Sequence, residues 1–343
     1  MRRRGHNCRA LIAGHCPDLA PSRTIERIAM QERTRHIAVV GAGAVGCYFG
    51  GLLARAGAQV TLIGHSPHVE AIRQNGLLLK TLDREERIAV AATEDIAAVQ
   101  HADLVLFCVK SPDTDAAAAA MAPHLAANAA VLSLQNGVDN VARIRRQVNT
   151  IVIPALVYAA VFMAAPGCVK HTGGGRLVIG LLPEDGEKER GGQRLLADIV
   201  ALFAHAGVPV KVSDSIEADL WTKLAMNCAY NAISALGGAR YSQMVAMPEV
   251  RDLMRAAAQE VMQVARAKGI QLPDSVLDET VRLADSMPET ISSTAQDIRK
   301  GRRTEIDHLN GYVARAGEAL GVPTPVNRTL ATLVKLLEQS PRT

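Results

Sequence analysis

The stretch "HIAVVGAGAVGCYFG", His36–Gly50, decides the fold. Its first five residues are nearly all apolar and read as a strand buried on both faces. Gly41-Ala42-Gly43-Ala44-Val45-Gly46 follows without a gap, and a helix through Ala54 comes next. A G-x-G-x-x-G is informative only in that setting, directly after a strand and opening a helix. There Gly41 permits the tight turn, Gly43 lets a pyrophosphate approach the backbone, and Gly46 lets helix and strand pack closely. The helix N-terminus then faces the phosphates.

Outward from this unit, "QVTLI" (59–63) reads as a second strand and "VEAIRQNG" (69–76) as a short helix closed by glycine. "DLVLFCV" (103–109), "AAVLSL" (129–134) and "NTIVIPAL" (149–156) are further strands, with an alanine-rich helix at 115–122. Continuous apolar strands separated by helices imply a parallel sheet covered on both faces. From 157 to 212, "YAAVFMA", "GCVKHT" and "GRLVIGL" suggest an antiparallel extension, followed by a helix near 189–206 and a strand at 208–213. Beyond Asp214 the pattern is helical: 215–236, 248–268, 274–286, 293–300, 303–320 and 326–338. The fold class is therefore α/β, with a Rossmann-type dinucleotide-binding domain over 36–213 and an all-helical substrate domain over 214–343.

Residues 1–35 stand apart, as a disordered extension or the product of an upstream start before a natural one near Met30. They hold eight arginines against three acids, a net +5, so the remainder of this +4 chain sums to about −1 and leaves no basic face for nucleic acid. His6, Cys8, His15 and Cys16 in that tail fit no zinc spacing well. None of the six cysteines forms a Cys-x-x-Cys pair, which fits a reducing cytoplasm without disulfides. No apolar run reaches the length of a membrane span. The long helical half could support a homodimer.

Where an NAD enzyme places an acid, about twenty residues beyond the glycines, this chain reads "TLIGHSPHVEAIR". The missing acid favours NADP, with His65, Ser66, His68 or Arg73 to meet a 2′-phosphate. Lys110 and Asn136 follow two strands at their carboxyl ends, where open α/β sheets bind ligands.

"WTKLAMNCAYNAISALGG" (221–238) sets Lys223, Asn227 and Asn231 four residues apart among apolar neighbours. They form a slanted polar stripe on one helix face. A buried ammonium must pair or line a cleft, so the stripe points to an oxyanion or carboxylate site. In "ISSTAQDIRKGRRTEIDHLNG", Ser293 with Gln296 fits a capping box, and Glu305 is either a surface carboxylate or the partner that keeps Lys223 charged.

Together "VVGAGAVG", "FCVKSPDT", "LQNGVDN", "LWTKLAMNCAYNAISAL" and "DIRKGRRTEIDHLNGY" resemble ketopantoate reductase (2-dehydropantoate 2-reductase) over residues 36 to 338. The resemblance implies NADPH-dependent reduction of 2-dehydropantoate to pantoate, on the route to pantothenate and coenzyme A. It implies Lys223 as general acid, Asn227, Asn231 and Ser293 on the substrate, Asn136 between cofactor and substrate, and Glu305 beside lysine and cofactor. Two positions depart from the family pattern: His65 stands where arginine is usual, and Tyr241 where reference members carry a substrate-touching asparagine. Two other readings remain, a reductase of a different small 2-keto acid and a nucleotide sensor without turnover. A sensor needs no proton donor, which Lys223 with Glu305 supplies.

Overall fold

A computed structural model describes residues 35–340. The expected N-terminal extension and its histidine–cysteine group lie outside the described residues, Arg35 excepted. The chain runs β1 (His36–Val40), α1 (Ala44–Arg55), β2 (Gln59–Ile63), α2 (His68–Asn75), β3 (Leu77–Lys80), β4 (Glu85–Ile88) and β5 (Ala91–Thr93). It continues through β6 (Leu104–Phe107), α3 (Thr114–Met121), β7 (Ala130–Ser133), α4 (Asn140–Arg145), β8 (Val152–Ala165), β9 (Cys168–Ile179), α5 (Glu189–His205) and β10 (Val210–Val212). From Ile216 the regular elements are α6 (Ile216–Gly237), α7 (Tyr241–Ala246), α8 (Pro248–Ala267), α9 (Val276–Ser286), α10 (Ser293–Arg299), α11 (Asn310–Leu320) and α12 (Pro325–Gln339).

The first half is one mixed sheet in the order β4-β3-β9-β8-β7-β6-β1-β2-β5, with β10 beside β9. Within it, β5-β2-β1-β6-β7-β8 are parallel neighbours, the doubly wound order. The strands read as unbroken apolar runs because both faces are covered. Ile37 and Val39 of β1 pack on the side of α1 and α5, whereas Ala38 and Val40 pack on the side of α3 and α4. The strand order reverses between β1 and β6, and the crevice at that point receives Gly41, Lys110 and Asn136.

Several expectations change. The separate strands read at 149–156 and 158–164 are one strand, β8, which passes through Pro154 and carries the chain from the parallel to the antiparallel part. Its partner β9 also absorbs two of the predicted strands, with the register shifting at Tyr158/Ala159 and Ala160/Val161. The short, half-polar β3, β4 and β5 gave no periodic signal. The helix expected at 303–320 begins only at Asn310. Thr304 Oγ1 instead accepts from Ile306 N (3.2 Å), and a short 3-10 turn spans Ile306–His308.

The helical half folds around α6. Trp221, Leu224, Ala225 and Cys228 pack on Ala258, Val261 and Val264 of α8 and on Val313 of α11. The packing turns the opposite face of α6, with Lys223 and Asn227, toward the sheet.

At the glycine turn, Gly41 has φ +106, and a Cβ there would meet the backbone nitrogen of Val109 at 2.6 Å. A Cβ on Gly46 would stand 2.2 Å from Gly41 O and 2.8 Å from Val39 Cγ1, whereas one on Gly43 meets nothing within 4 Å. Gly46→Ala is therefore expected to cost about 1–3 kcal/mol in urea unfolding, and Gly43→Ala to leave stability within about 0.5 kcal/mol of the parent. Equal losses in the two variants would contradict this division of roles.

Candidate active site

One end of the crevice is made by the turn Gly41–Gly46. Gly41 N and Ala42 N both donate to Ile63 O at 2.9 Å, which ties the turn to the end of β2. Gly43 caps α1 without a side-chain hydrogen bond, so the amides of the first turn, from Ala44 through Gly46, have no capping partner. Open space at Gly43 and free amides at a helix N-terminus form a cradle that suits a pyrophosphate. Gly64 belongs to this cradle and was missed by sequence reasoning: a Cβ there would lie 2.6 Å from Ala42 Cβ.

His65 and Ser66 are exposed beside the turn. Arg73 is committed elsewhere, donating from Nε to Ala92 O at 2.8 Å. After β5, Glu94 Oε1 accepts from Ser66 N at 2.8 Å and so borders the same loop. His68 Nδ1 is buried without a partner, and burial together with the Arg302 guanidinium holds its imidazole below the usual range.

Asp297, Arg303 and Glu305 of the helical half meet the ends of β6 and β7. Lys110 Nζ pairs with Asp297 Oδ2 at 2.6 Å and donates to Arg303 O at 3.3 Å. Burial raises the Asp297 carboxyl, and Lys110 opposes that shift. Glu305 Oε1 accepts from Ser111 N at 2.8 Å and from Ser111 Oγ at 2.9 Å, while Asn136 Nδ2 reaches Oε2 at 3.5 Å. Glu305 is thus no surface carboxylate. Its hydrogen bonds run to Ser111 and Asn136 rather than to the lysine, which it reaches only through space.

Lys223, Asn136, Gln135, Gly137, Leu220 and Asn227 line one small pocket. Lys223 Nζ donates to Val157 O of β8 at 2.7 Å and lies 5.2 Å from the centre of the Tyr158 ring. Burial draws the ammonium down to about 8; Glu305 opposes the shift and Arg176 adds to it. Farther along the stripe Asn231 is buried, with Nδ2 3.5 Å from Ser293 Oγ. The capping box expected at Ser293 does not form; its neighbour is the N-cap, Ser292 Oγ accepting from Ala295 N at 3.1 Å, which leaves the exposed Ser293 hydroxyl free to face Asn231. Tyr241 lies in the core rather than on the stripe, its ring 4.2 Å from that of Tyr230 and packed with Met244 and Met254.

The family model described as ketopantoate reductase PanE/ApbA matches residues 37–184, and its C-terminal companion matches 215–338. The chain belongs to the ketopantoate reductase family. A 2-dehydropantoate 2-reductase of Halobacterium salinarum is 33% identical over 308 residues, 88% of this chain and 99% of that protein. One of Vibrio cholerae is 32% identical, covering 89% of this chain and 98% of its own length. The crystal structure of a PanE/ApbA family ketopantoate reductase from Ralstonia eutropha JMP134 superposes with a TM-score of 0.82 at 50% identity, over 88% of this chain and 98% of that one. Ketopantoate reductases thus share this two-part architecture with the chain. Among the described residues no helix is long and apolar enough to cross a membrane, and no cluster of His, Cys, Asp or Glu is placed to hold a metal.

Glu305 carries the negative charge that keeps the Lys223 ammonium from falling further. Glu305→Gln is expected to lower the Lys223 pKa below about 8. Lysine-selective NMR titration checks this, and an unchanged or raised value would contradict it.

Proposed function

We propose that the chain reduces 2-dehydropantoate to pantoate with NADPH, using Lys223 as general acid. The observation that carries the reading is the buried Lys223 ammonium, set in one pocket with Asn136 and Asn227 beside the crevice of a dinucleotide-binding sheet. The cradle at Gly43 and the unpaired amides of α1 fit a pyrophosphate, so Gly41, Ala42, Gly43, Ala44, Val45 and Gly46 would hold the dinucleotide. His65 would face its adenosine end, with Lys110, Asn136 and Glu305 nearer the nicotinamide. NADPH, when bound, supplies a hydride to the carbonyl carbon of the keto acid.

The protein's own work is on the oxygen. As the carbonyl is reduced its oxygen gains negative charge, which a neighbouring ammonium stabilises and then quenches with a proton. Lysine has three ammonium hydrogens, and Val157 O takes one of them. The bond to Val157 fixes the direction of the others, and the Tyr158 ring covers one side. Asn227 and the Asn231–Ser293 pair offer neutral donors and acceptors for the hydroxyl end of the substrate.

Purified protein, NADPH and 2-dehydropantoate, followed at the nicotinamide absorbance, test the reading. Absence of oxidation would overturn it, and turnover of another 2-keto acid alone would select a paralogous reductase. Lys223→Ala is expected to lower kcat by about 10²–10⁴-fold. An acid must hold its proton to act, so kcat is expected to fall as pH rises through about 8, the value for Lys223. A wild-type kcat in the variant, or a flat profile across that range, removes the lysine from the chemistry.

The cofactor preference rests on the loop after β2. His65→Arg places a permanent cation beside exposed Ser66 and is expected to lower the KM for NADPH. An unchanged KM would mean that the 2′-phosphate is not met there.

A further inference from the structure

The wall of the cleft opposite α6 is β8. Steps of two set Leu156, Tyr158, Ala160 and Phe162 on one face of that strand. Leu156 packs with Ile216 and Leu220 of α6, so this face looks into the helical half. Two lysines from that half meet its rings: Lys223 over Tyr158 at 5.2 Å and Lys300 over Phe162 at 5.4 Å.

Arg176 is the residue opposite Tyr158 across the β8–β9 pair, and its guanidinium carbon lies 4.0 Å from the centre of the Tyr158 ring. One aromatic ring thus serves two cations, Arg176 and Lys223. The register breaks immediately beyond, where Ala159 pairs with Gly174 and Gly175 is left over with φ +120. A bulge at that point bends β9 and re-aims the side chain beside it.

Arg176 is exposed, and among the described residues no carboxylate pairs with it and its side chain makes no hydrogen bond. Stacking fixes the plane of the guanidinium while leaving its edge of N–H donors free. The two like charges share one ring and repel, and an anion within reach of both would relieve that. Of the other cations near the site, Lys223 is assigned to the ketone oxygen, Lys110 is occupied by Asp297, and Lys300 lies farther along β8 over the Phe162 ring.

We propose that Arg176, held on the Tyr158 ring, binds the carboxylate of the 2-keto acid and thereby selects keto acids over neutral ketones. The proposal rests on the reductase reading above. Arg176 adds a second attachment point beside Lys223, so the ketone is fixed by two cations from opposite walls of the cleft. Planar guanidinium and planar carboxylate match in a two-point contact that lysine cannot reproduce.

The test compares wild type, Arg176→Gln and Arg176→Lys on 2-dehydropantoate and on its neutral lactone, in which the 4-hydroxyl esterifies the carboxylate. Arg176→Gln is expected to raise the KM for the acid by about 10–100-fold, as loss of a charged hydrogen bond does. The KM values for the lactone and for NADPH should stay within about twofold, because neither contact involves the carboxylate. Arg176→Lys should recover part of the loss, since it keeps the charge without the fork. An equal loss on acid and lactone, or an unchanged KM for the acid in Arg176→Gln, would overturn the proposal while leaving the reductase reading intact. If the wild type reduces neither 2-dehydropantoate nor 3-methyl-2-oxobutanoate, the reductase reading fails and this proposal fails with it.

Discussion

A buried ammonium must find a partner, and Lys223 finds it in the carbonyl of Val157. That single hydrogen bond joins α6, the central helix of the second half, to β8, the strand that links the two parts of the sheet. Its geometry sets where the ammonium points. β8 runs for fourteen residues because, after leaving the parallel sheet at its carboxyl edge, it pairs with β9 and continues as one wall of the cleft. A shorter strand would end before Tyr158 and Phe162 and leave the lysines of the helical half facing solvent.

The remaining links across the cleft are charged and work in series. Lys110 pairs with Asp297, and Glu305 accepts two hydrogen bonds from Ser111. Both pairs join the end of β6 to the segment around α10, and both close on the same crevice. Glu305 has a second, electrostatic effect, since its charge opposes the burial that draws the Lys223 ammonium down. One carboxylate therefore helps to hold the halves together and to set the protonation of the lysine. A charge that performs both roles cannot be moved along the chain without disturbing one of them.

Much of the fold was legible because local signals agreed with one another. The strands His36–Val40 and Gln59–Ile63 fall where unbroken apolar runs end in glycine or polar residues. The helices after Asp214 follow their glycine and proline punctuation closely, apart from the short α7 and the late start of α11. Failures occurred where the signal was non-local. One strand was expected to end at Leu156, and Gly173-Gly174-Gly175 read as a break, yet β8 runs on through Val157 and pairs with β9 past those glycines because each strand satisfies the other's backbone. Ser292 and Ser293 are chemically identical in sequence, and only the helix start reveals which one caps and which faces Asn231.

By itself the sequence determined the glycine turn between β1 and α1 and the stripe Lys223, Asn227 and Asn231, because each depends on spacing over a short local stretch, and it determined the two-part order of the chain through the change of pattern at Asp214. The tertiary structure alone decided what those groups meet. Glu305 finds Ser111 across a separation of 194 residues. Glu94 reaches the loop after β2 from a different strand. Arg176 comes to share a ring with Lys223 through a bulged register that no periodicity encodes. Such pairings follow from how strands align and helices pack, and those are properties of the whole chain rather than of any stretch within it.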